Sequence, residues 1–417
     1  MISKNVNCKT LYLIAFLVML VSLYFLIFDA VHARKVFYTA GYASIAIFLF
    51  SLRKTHPPKK NLLPVLSVLA FSLTILVWLF IFYNKGEYWE IYNSYETSGK
   101  ILLLLAILLL IYSNTEIIIP GKIIDSILII GGISANLFAV YQYNTSINAR
   151  IELGFDRATM AAYIITIVDI LMIHAVLNRH GLLRYVLFAL TVTLAFSAII
   201  FTSTRAAIIS FPLLCLIQAF THPNVNKKHL LNISLSFLCL LAVAIYAFQK
   251  PLEKRWDALL QDIHSYENNH SVTSVGARFA MYHTGLQAGL ATPLGQSAES
   301  RGTTIKKIVQ SDQSLSGALP FIDVHLHNEV VDNFSLRGII GVLALLAMYG
   351  SLLWSSWRDR NPTLFVLTLS LMLYGLSDAI FFSREGTIAY AIGILTALVF
   401  LKRSEKEKHA PDILWQK

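Results

Sequence analysis

"LYLIAFLVMLVSLYFLIF", residues 11–28, contains no charged side chain. A bilayer core about 30 Å thick is crossed by a helix of about 20 mostly apolar residues. The run is longer than the apolar region of a secretory signal and no small-residue cleavage pattern follows it, so we expect a retained membrane span. Comparable runs recur along the chain, which indicates a polytopic membrane protein.

The composition agrees with this interpretation. Hydrophobic residues make up 56% of the 417 residues and the mean hydropathy is +0.62, which is more than a soluble core and its surface accommodate. The three cysteines are Cys8, near the start of the chain, and Cys215 and Cys239, both inside apolar runs. This placement argues against a disulfide framework or a zinc site.

The predicted fold class is all-α, with about twelve membrane-spanning helices. Their expected limits are residues 11–29, 36–52, 62–83, 100–113, 123–143, 158–178, 182–201, 206–220, 230–248, 338–355, 363–382 and 387–401. The fourth span is short as written, and we expect it to draw on the amphipathic segment 87–100. Spans 1–9 thus fall within residues 1–248 and spans 10–12 within 338–401, before a tail at 402–417.

Orientation follows from the lysines and arginines, which are in excess in cytoplasmic loops. A cytoplasmic N-terminus places nearly every basic cluster on one side, including "RKTHPPKK" at 53–60, "WRDRN" at 357–361 and the tail. Both termini are therefore expected in the cytoplasm. The formal net charge of +10 is a topology signal, and no basic run interleaved with aromatic residues suggests nucleic-acid binding.

One long connection, residues 249–337, is expected on the outer face. Residues 250–270 predict one or two amphipathic helices, and "GQSAESRGTTIKKIVQSDQSLSG" at 295–317 is expected to be irregular. Long loops of this kind in compact proteins are usually functional or disordered. We predict a small, mostly helical cap that carries part of the active site.

Ionisable residues gather at this outer face. "VHLHNEVVDNFSLRG" at 324–338 closes the loop, "TSTRAA" places Arg205 at a tight turn between apolar runs, and "SVGARFAMYHTG" places Arg278 near a helix start. Taken singly, an arginine at a helix end often only reaches the headgroups. Together, two guanidinium groups suit a pyrophosphate, and a histidine can take a proton from a hydroxyl. The set predicts a transferase that acts on a lipid pyrophosphate.

A metal site is the competing hypothesis for the same stretch. The spacing matches no strong metal signature such as HExxH. Alternation in an extended segment would place the two histidines on one side but leaves the acids unassigned. The candidate ligands are Asp323, His325, His327, Glu329 and Asp332.

"HNEVVDNFSLRGIIG" at 327–341 has His327 and Asn328, then nine residues, then Gly338 and Gly341. This pattern resembles the signature of O-antigen ligases. "TSTRAA" and "SVTSVGARFAMY", at 202–207 and 271–282, occur in the order that the family shows. The resemblance is strong from about residue 201 to 384 and rests mainly on topology before that.

The resemblance implies an inner-membrane glycosyltransferase of the C-type kind whose active site faces the periplasm. Such an enzyme moves O-antigen from undecaprenyl pyrophosphate to a sugar hydroxyl of lipid A–core, with inversion and without a metal or other cofactor. By position, His327 would be the general base, and Arg205 and Arg278 would bind the donor pyrophosphate and stabilise its growing charge. The implied partners are these two lipids and the surrounding membrane lipids.

Other polar residues are secondary candidates. His325 and Arg301 are expected to contact acceptor or phosphate groups or to support the site, and Asn328 accompanies the histidine motif. Asp169 lies inside an apolar span, where an acid is a functional candidate by default, and we expect it to bond a neighbouring helix.

Two other functions stay open at this stage. An O-antigen polymerase would share the donor, the topology and the arginines, but would take another lipid-linked glycan as acceptor. A transporter or flippase would need polar groups near the middle of the bilayer, whereas the polar residues here gather at one face.

Overall fold

A computed structural model describes residues 2–51, 61–115, 117, 119–146, 150–155, 157–226, 242, 245–246, 249–268 and 271–401. Every regular element within these residues is a helix. The α-helices of the first part are α1 Ile2–Phe25, α2 Ala30–Ser51, α3 Leu62–Phe82, α4 Trp89–Asn114, α5 Gly121–Thr145, α6 Ala158–Leu177, α7 Gly181–Thr202 and α8 Arg205–Thr221. Those of the second part are α9 Gln249–Glu267, α10 Ser274–Ala291, α11 Ala298–Ser311, α12 Glu329–Arg358, α13 Pro362–Gly375 and α14 Arg384–Leu395. Short 3-10 turns occur at Gln313–Phe321 and Ile380–Phe382, and a π turn at Thr396–Phe400 ends the described chain.

Seven of the described helices are long and apolar enough to cross a membrane, and α8 and α13 are shorter apolar helices. The seven are α1, counted from Cys8, and α3, α4, α5, α6, α7 and α12. The predicted fold class, an all-α polytopic membrane protein, is therefore confirmed. The expected ninth span, 230–248, and Cys239 within it lie outside the described residues, apart from 242, 245 and 246.

The observed limits of two spans, the fourth and the eleventh, can be compared with the predicted ones. α4 begins at Trp89, which confirms that the short fourth span draws on the segment before it. The eleventh span was expected to continue to residue 382, but α13 ends at Gly375. The chain turns there because the backbone N–H groups of Ser377 and Asp378 both bond to Tyr374 O, and this turn delivers Asp378 to the site described below.

The centre of the bundle is α6, whose residues are all buried apart from Thr159. Asp169 lies in the middle of this helix and is fully buried. Its Oδ1 accepts a hydrogen bond of 2.6 Å from Asn136 Nδ2 on α5. The prediction that Asp169 bonds a neighbouring helix is confirmed, and this bond satisfies one buried carboxylate oxygen between two spans.

Residues 249–328, which we call the cap, lie over one end of the bundle and have an apolar core of their own. That core consists of Ala277, Ala280, Met281, Ala288, Ile305, Val309, Leu315, Ala318, Leu326 and Val331 of the adjoining α12. Two side-chain hydrogen bonds connect the cap to the bundle. Trp78 on α3 donates to Gln296 O at 2.8 Å, and Tyr92 on α4 donates to Glu299 at 2.6 Å. The expected helical character of the long connection is confirmed.

The expectation of irregular chain over 295–317 was wrong. The segment forms α11, which begins at a Ser297 N-cap whose side chain accepts from Ser300 N. Ala298, Ile305 and Val309 are buried on one face at helical spacing. The apolar periodicity is weak in the sequence because Arg301 and Gly302 also lie on the buried face.

A kink at Gly338 joins the cap to the last part of the bundle. Gly338 adopts φ +61°, and a Cβ there would collide with Pro293 O and lie 2.7 Å from Gly295 N. On either side, Ile339 N donates to Pro293 O and Gln296 N donates to Leu336 O, both at 2.9 Å. Only glycine allows this close approach of backbones, which fixes the first turns of α12 beneath the cap.

Candidate active site

The histidine motif lies between the 3-10 turn of the cap and α12. His327 adopts φ +49°, an uncommon conformation for a residue with a side chain. Asn328, next in the chain, is the N-cap of α12, and its Oδ1 accepts from Val330 N at 3.0 Å and Val331 N at 3.1 Å. A backbone held in such a conformation by its surroundings is typical of functional positions, and here it sets the direction of the His327 ring.

Asp378 brings the two histidines together. Its Oδ1 lies 2.7 Å from His325 Nε2 and 3.3 Å from His327 Nδ1, and the two imidazole rings are 4.3 Å apart. His325 is buried, whereas the side chain of His327 is 21% exposed. The contact with His325 is a well-formed hydrogen bond and the contact with His327 is a looser polar one, so His327 is the histidine that remains available to a ligand.

The pKa values of this group follow from its burial. Burial lowers the pKa of His327 from its usual value; Asp378 opposes the change, and the charges of His325 and Arg278 add to it. Burial alone would raise the pKa of Asp378, but the bonds and charges of both histidines hold it well below its usual range. At neutral pH the site therefore contains a carboxylate and an uncharged His327.

A buried ion pair holds the histidine segment in place. Arg301 is fully buried; its Nη1 lies 2.9 Å from Asp332 Oδ1 and its Nη2 donates to Val324 O at 2.7 Å. Asp332 Oδ1 also accepts from Leu326 N at 2.9 Å, between the two histidines, and Tyr95 donates to the other carboxylate oxygen. We infer that Arg301 supports the site rather than contacting a substrate, because its guanidinium is enclosed.

The segment that carries Asp378 is tied to the same motif. Tyr282 Oη lies 3.0 Å from His327 O and 2.8 Å from Leu376 O, and Asn328 Nδ2 donates to Leu376 O at 3.2 Å. Glu329 accepts from Phe381 N at 3.0 Å. Asn328 is thus a helix cap and a link between the two segments.

Arg278 and His327 line one cavity. It has a volume of about 400 Å³, and Met281 and Phe321 contribute apolar walls. Arg278 lies on the first turns of α10, whose N-cap Thr273 accepts from Gly276 N, as the sequence predicted. Its half-buried guanidinium forms no ion pair with the described residues, so it is available to an anion in this cavity.

Arg205 is placed differently. It opens α8 two residues after Ser203, which has φ +54°, in agreement with the predicted tight turn. Its Nη1 lies 2.9 Å from Asp262 Oδ2 on α9, with both side chains largely buried. Among the described residues, Arg205 is not part of the wall of the Arg278 cavity, although α9 packs against α10.

The proposed set of five metal ligands is not assembled. Glu329 and Asp332 are committed to the backbone and ion-pair contacts given above, and the acid that joins the histidines is Asp378. His325, His327 and Asp378 do place three potential ligand atoms within 4.8 Å of one another. However, the 2.7 Å between His325 Nε2 and Asp378 Oδ1 fits a direct hydrogen bond better than two ligands that each lie about 2.0 Å from an ion.

Asp378 and Asp262 were not singled out from the sequence. Asp378 is an isolated acid in an apolar stretch some fifty residues beyond the histidines, and its position there is the only signal that the sequence offers. Asp262 lies among other charged residues of an amphipathic helix and is not distinguished from them.

A family model described as O-Antigen ligase matches residues 189–346. The O-antigen ligase of Escherichia coli K12 is 30% identical over 387 residues, which cover 90% of each chain. The chain belongs to the O-antigen ligase family. An uncharacterized protein of Haemophilus influenzae Rd is 28% identical to this ligase-family chain over 322 residues, covering 73% of it and 77% of the relative. Membership of the ligase family implies an enzyme of glycosyl transfer, and the matched region contains both predicted arginines and the histidine motif, whereas Asp378 lies beyond it.

Proposed function

We propose that this protein transfers O-antigen from undecaprenyl pyrophosphate to a sugar hydroxyl of lipid A–core and so completes lipopolysaccharide. The observation that carries the proposal is the cavity shared by His327 and Arg278, with Asp378 behind the histidine. A base and an unpaired guanidinium at one cavity are the groups required to activate a hydroxyl and to receive a phosphate leaving group.

His327 acts as the general base. Its Nδ1 faces Asp378, which favours the tautomer with a proton on Nδ1 and leaves Nε2 to accept the proton of the acceptor hydroxyl. The acceptor oxygen then bonds to the anomeric carbon while the bond from that carbon to the phosphate oxygen breaks. Asp378 stabilises the imidazolium that forms, in the way that a carboxylate orients the base of a catalytic triad.

The two arginines receive the charge of the departing pyrophosphate. Arg278 is available in the cavity, and Arg205 becomes available when Asp262 releases it. Guanidinium groups can bind phosphate oxygens in a bidentate manner, and two of them supply the neutralisation that a divalent ion supplies in other enzymes. The proposed reaction is therefore metal-independent, and attack from the side opposite the pyrophosphate inverts the anomeric centre.

The cap, Arg278 and Arg205 are proposed to face the periplasm. This follows from the basic residues: both termini, 53–60 and 357–361 fall on the other side under the positive-inside bias. A multi-pass protein of the inner membrane with this orientation meets both lipids from the same leaflet.

Purified protein mixed with the two lipids tests the proposal. Lipopolysaccharide should form from undecaprenyl pyrophosphate O-antigen and lipid A–core. If glycan is instead transferred to a second undecaprenyl-linked chain, the protein is a polymerase, and if neither product forms while donor crosses vesicles, it is a transporter.

A further inference from the structure

A second cavity lies on the other side of the histidine pair. It has a volume of about 580 Å³, and His325 and Asp378 form part of its wall, whereas His327 faces the Arg278 cavity. Since the His325 and His327 rings are 4.3 Å apart and share Asp378, this cluster is the partition between the two cavities. A transfer between two lipids requires two such spaces that meet at the base.

The second cavity is lined by three arginines from three separate parts of the chain. Arg34 lies on α2, Arg157 precedes α6 and Arg384 opens α14. Arg34 lies 3.3 Å from Glu385, which also lines the cavity. Arg157 is exposed and Arg384 half-buried, and neither forms an ion pair within the described chain.

The wall holds three arginines and three carboxylates, but the pairing among the described residues leaves two of the guanidinium groups without a carboxylate partner. Of the carboxylates in the wall, Glu385 is paired with Arg34 and Asp378 with His325, which leaves the exposed Glu90 against two guanidinium groups. Unpaired guanidinium groups that converge on one space suit phosphate oxygens. The remaining wall is mixed: Asn93, Ser94 and Ser383 are polar, whereas Val31 and Trp89 are apolar and 50% and 46% exposed. A partly exposed tryptophan is typical of the membrane interface.

We propose that this cavity binds a phosphorylated saccharide headgroup of the acceptor glycolipid, with Arg157 and Arg384 on its phosphate and His325 with Asp378 at its inner end. The assignment rests on the ligase reaction proposed above. In this arrangement the donor binds beside the cap, near Arg278 and Arg205. The acceptor binds in the second cavity, beside the helical bundle. Because His327 Nδ1 faces Asp378, the acceptor hydroxyl has to pass the partition and reach Nε2 from the Arg278 cavity, while the pyrophosphate leaves on the Arg278 side.

The test compares acceptor phosphorylation with arginine substitution in the purified full chain. Arg157→Gln and Arg384→Gln should each raise KM for phosphorylated lipid A–core about tenfold, with donor binding unchanged. With acceptor that has been treated with phosphatase, the same variants should behave like wild type. Arg358→Ala, at the far end of α12, is the matched control and should change neither value, and Arg→Lys at the two sites should fall in between.

Four outcomes overturn the assignment. Equal losses with both acceptors would show a structural role, and loss of donor binding would make this the donor cavity. Losses that appear only in vesicles of anionic phospholipid, whatever the acceptor, would show a lipid anchor. Wild-type protein that forms no lipopolysaccharide at all would refute the proposed function, whereas active wild type with unaffected variants would refute this inference alone.

Discussion

Nδ1 of His327 lies 3.3 Å from Oδ1 of Asp378, across fifty residues of sequence. The same oxygen accepts the hydrogen bond of His325, so a single carboxylate orients both rings. The proposed base is therefore positioned from three directions: by Asp378, by the positive φ of its own backbone and by the Asn328 cap. This arrangement explains why a half-buried histidine can present one nitrogen to a substrate.

We expect Asp378→Asn to lower kcat/KM by about 10²-fold, because the base loses its orienting partner. The substitution should also shift the pH dependence of the rate in a known direction. Burial lowers the pKa of His327 while Asp378 raises it, so wild-type activity should fall only below about pH 6.5, and the acid limb of the variant should lie at still lower pH. Kinetics between pH 4 and 8 measure both effects.

A shift of that limb to higher pH would contradict the contact between His327 and Asp378. Glu87→Gln is the control, because Glu87 is an exposed acid on the same side of the bundle. It should leave both the rate and the limb unchanged.

The sequence predicts those parts of the site whose position depends on nearby residues, such as helix caps and turns. Arg278 at a helix start, Arg205 at a turn and Asn328 before a helix all follow from capping and chain direction. Asp378 was not predictable in this way, because its role depends on α13 ending at Gly375 and on the turn that follows. The end of a buried span is set by its neighbours rather than by its own apolar residues, and the helix over 298–311 was missed because tertiary packing defines its apolar face.

Arg205 is paired with Asp262, and in the proposed reaction it exchanges that carboxylate for the donor pyrophosphate. Arg205→Lys and Arg278→Lys should each reduce transfer roughly 10²-fold, because an ammonium lacks the planar fork. Asp262→Asn should instead lower the donor KM by up to about fivefold, because the carboxylate that competes with the donor for Arg205 loses its charge. Steady-state kinetics with varied donor distinguish the three variants.

An Asp262→Asn enzyme as inactive as the Arg205 variants would contradict this exchange and show that the pair is structural. Thermal unfolding of each variant provides the control, since all three should remain folded.

Transfer should survive chelation. Detergent-solubilised enzyme treated with EDTA should retain its activity, because in the proposed reaction the arginines neutralise the pyrophosphate. Loss of activity that is restored by a divalent ion would support the cluster of His325, His327 and Asp378 as a metal site. Ion binding measured on His325→Ala, without substrate, would then identify the ligands directly.

Topology is tested by thiol accessibility in a variant without Cys8, Cys215 and Cys239. Cysteines at Asn268 and Ser311 should react with an impermeant reagent added to the periplasmic side, because both lie in the cap. A cysteine at Lys59 should react only after the membrane is permeabilised. The reverse pattern would place the proposed site on the wrong side for both lipids.

His327→Ala tests the proposed role of His327 as the general base most directly when ligation and donor binding are measured on the same purified protein. A positioned base contributes about 10²- to 10⁴-fold, so ligation should nearly disappear, with a smaller loss for His325→Ala. Donor should still bind, because Arg278 and Arg205 are unchanged. Near-normal ligation by His327→Ala would remove His327 from the mechanism, and loss of donor binding together with ligation would show that it only supports the site.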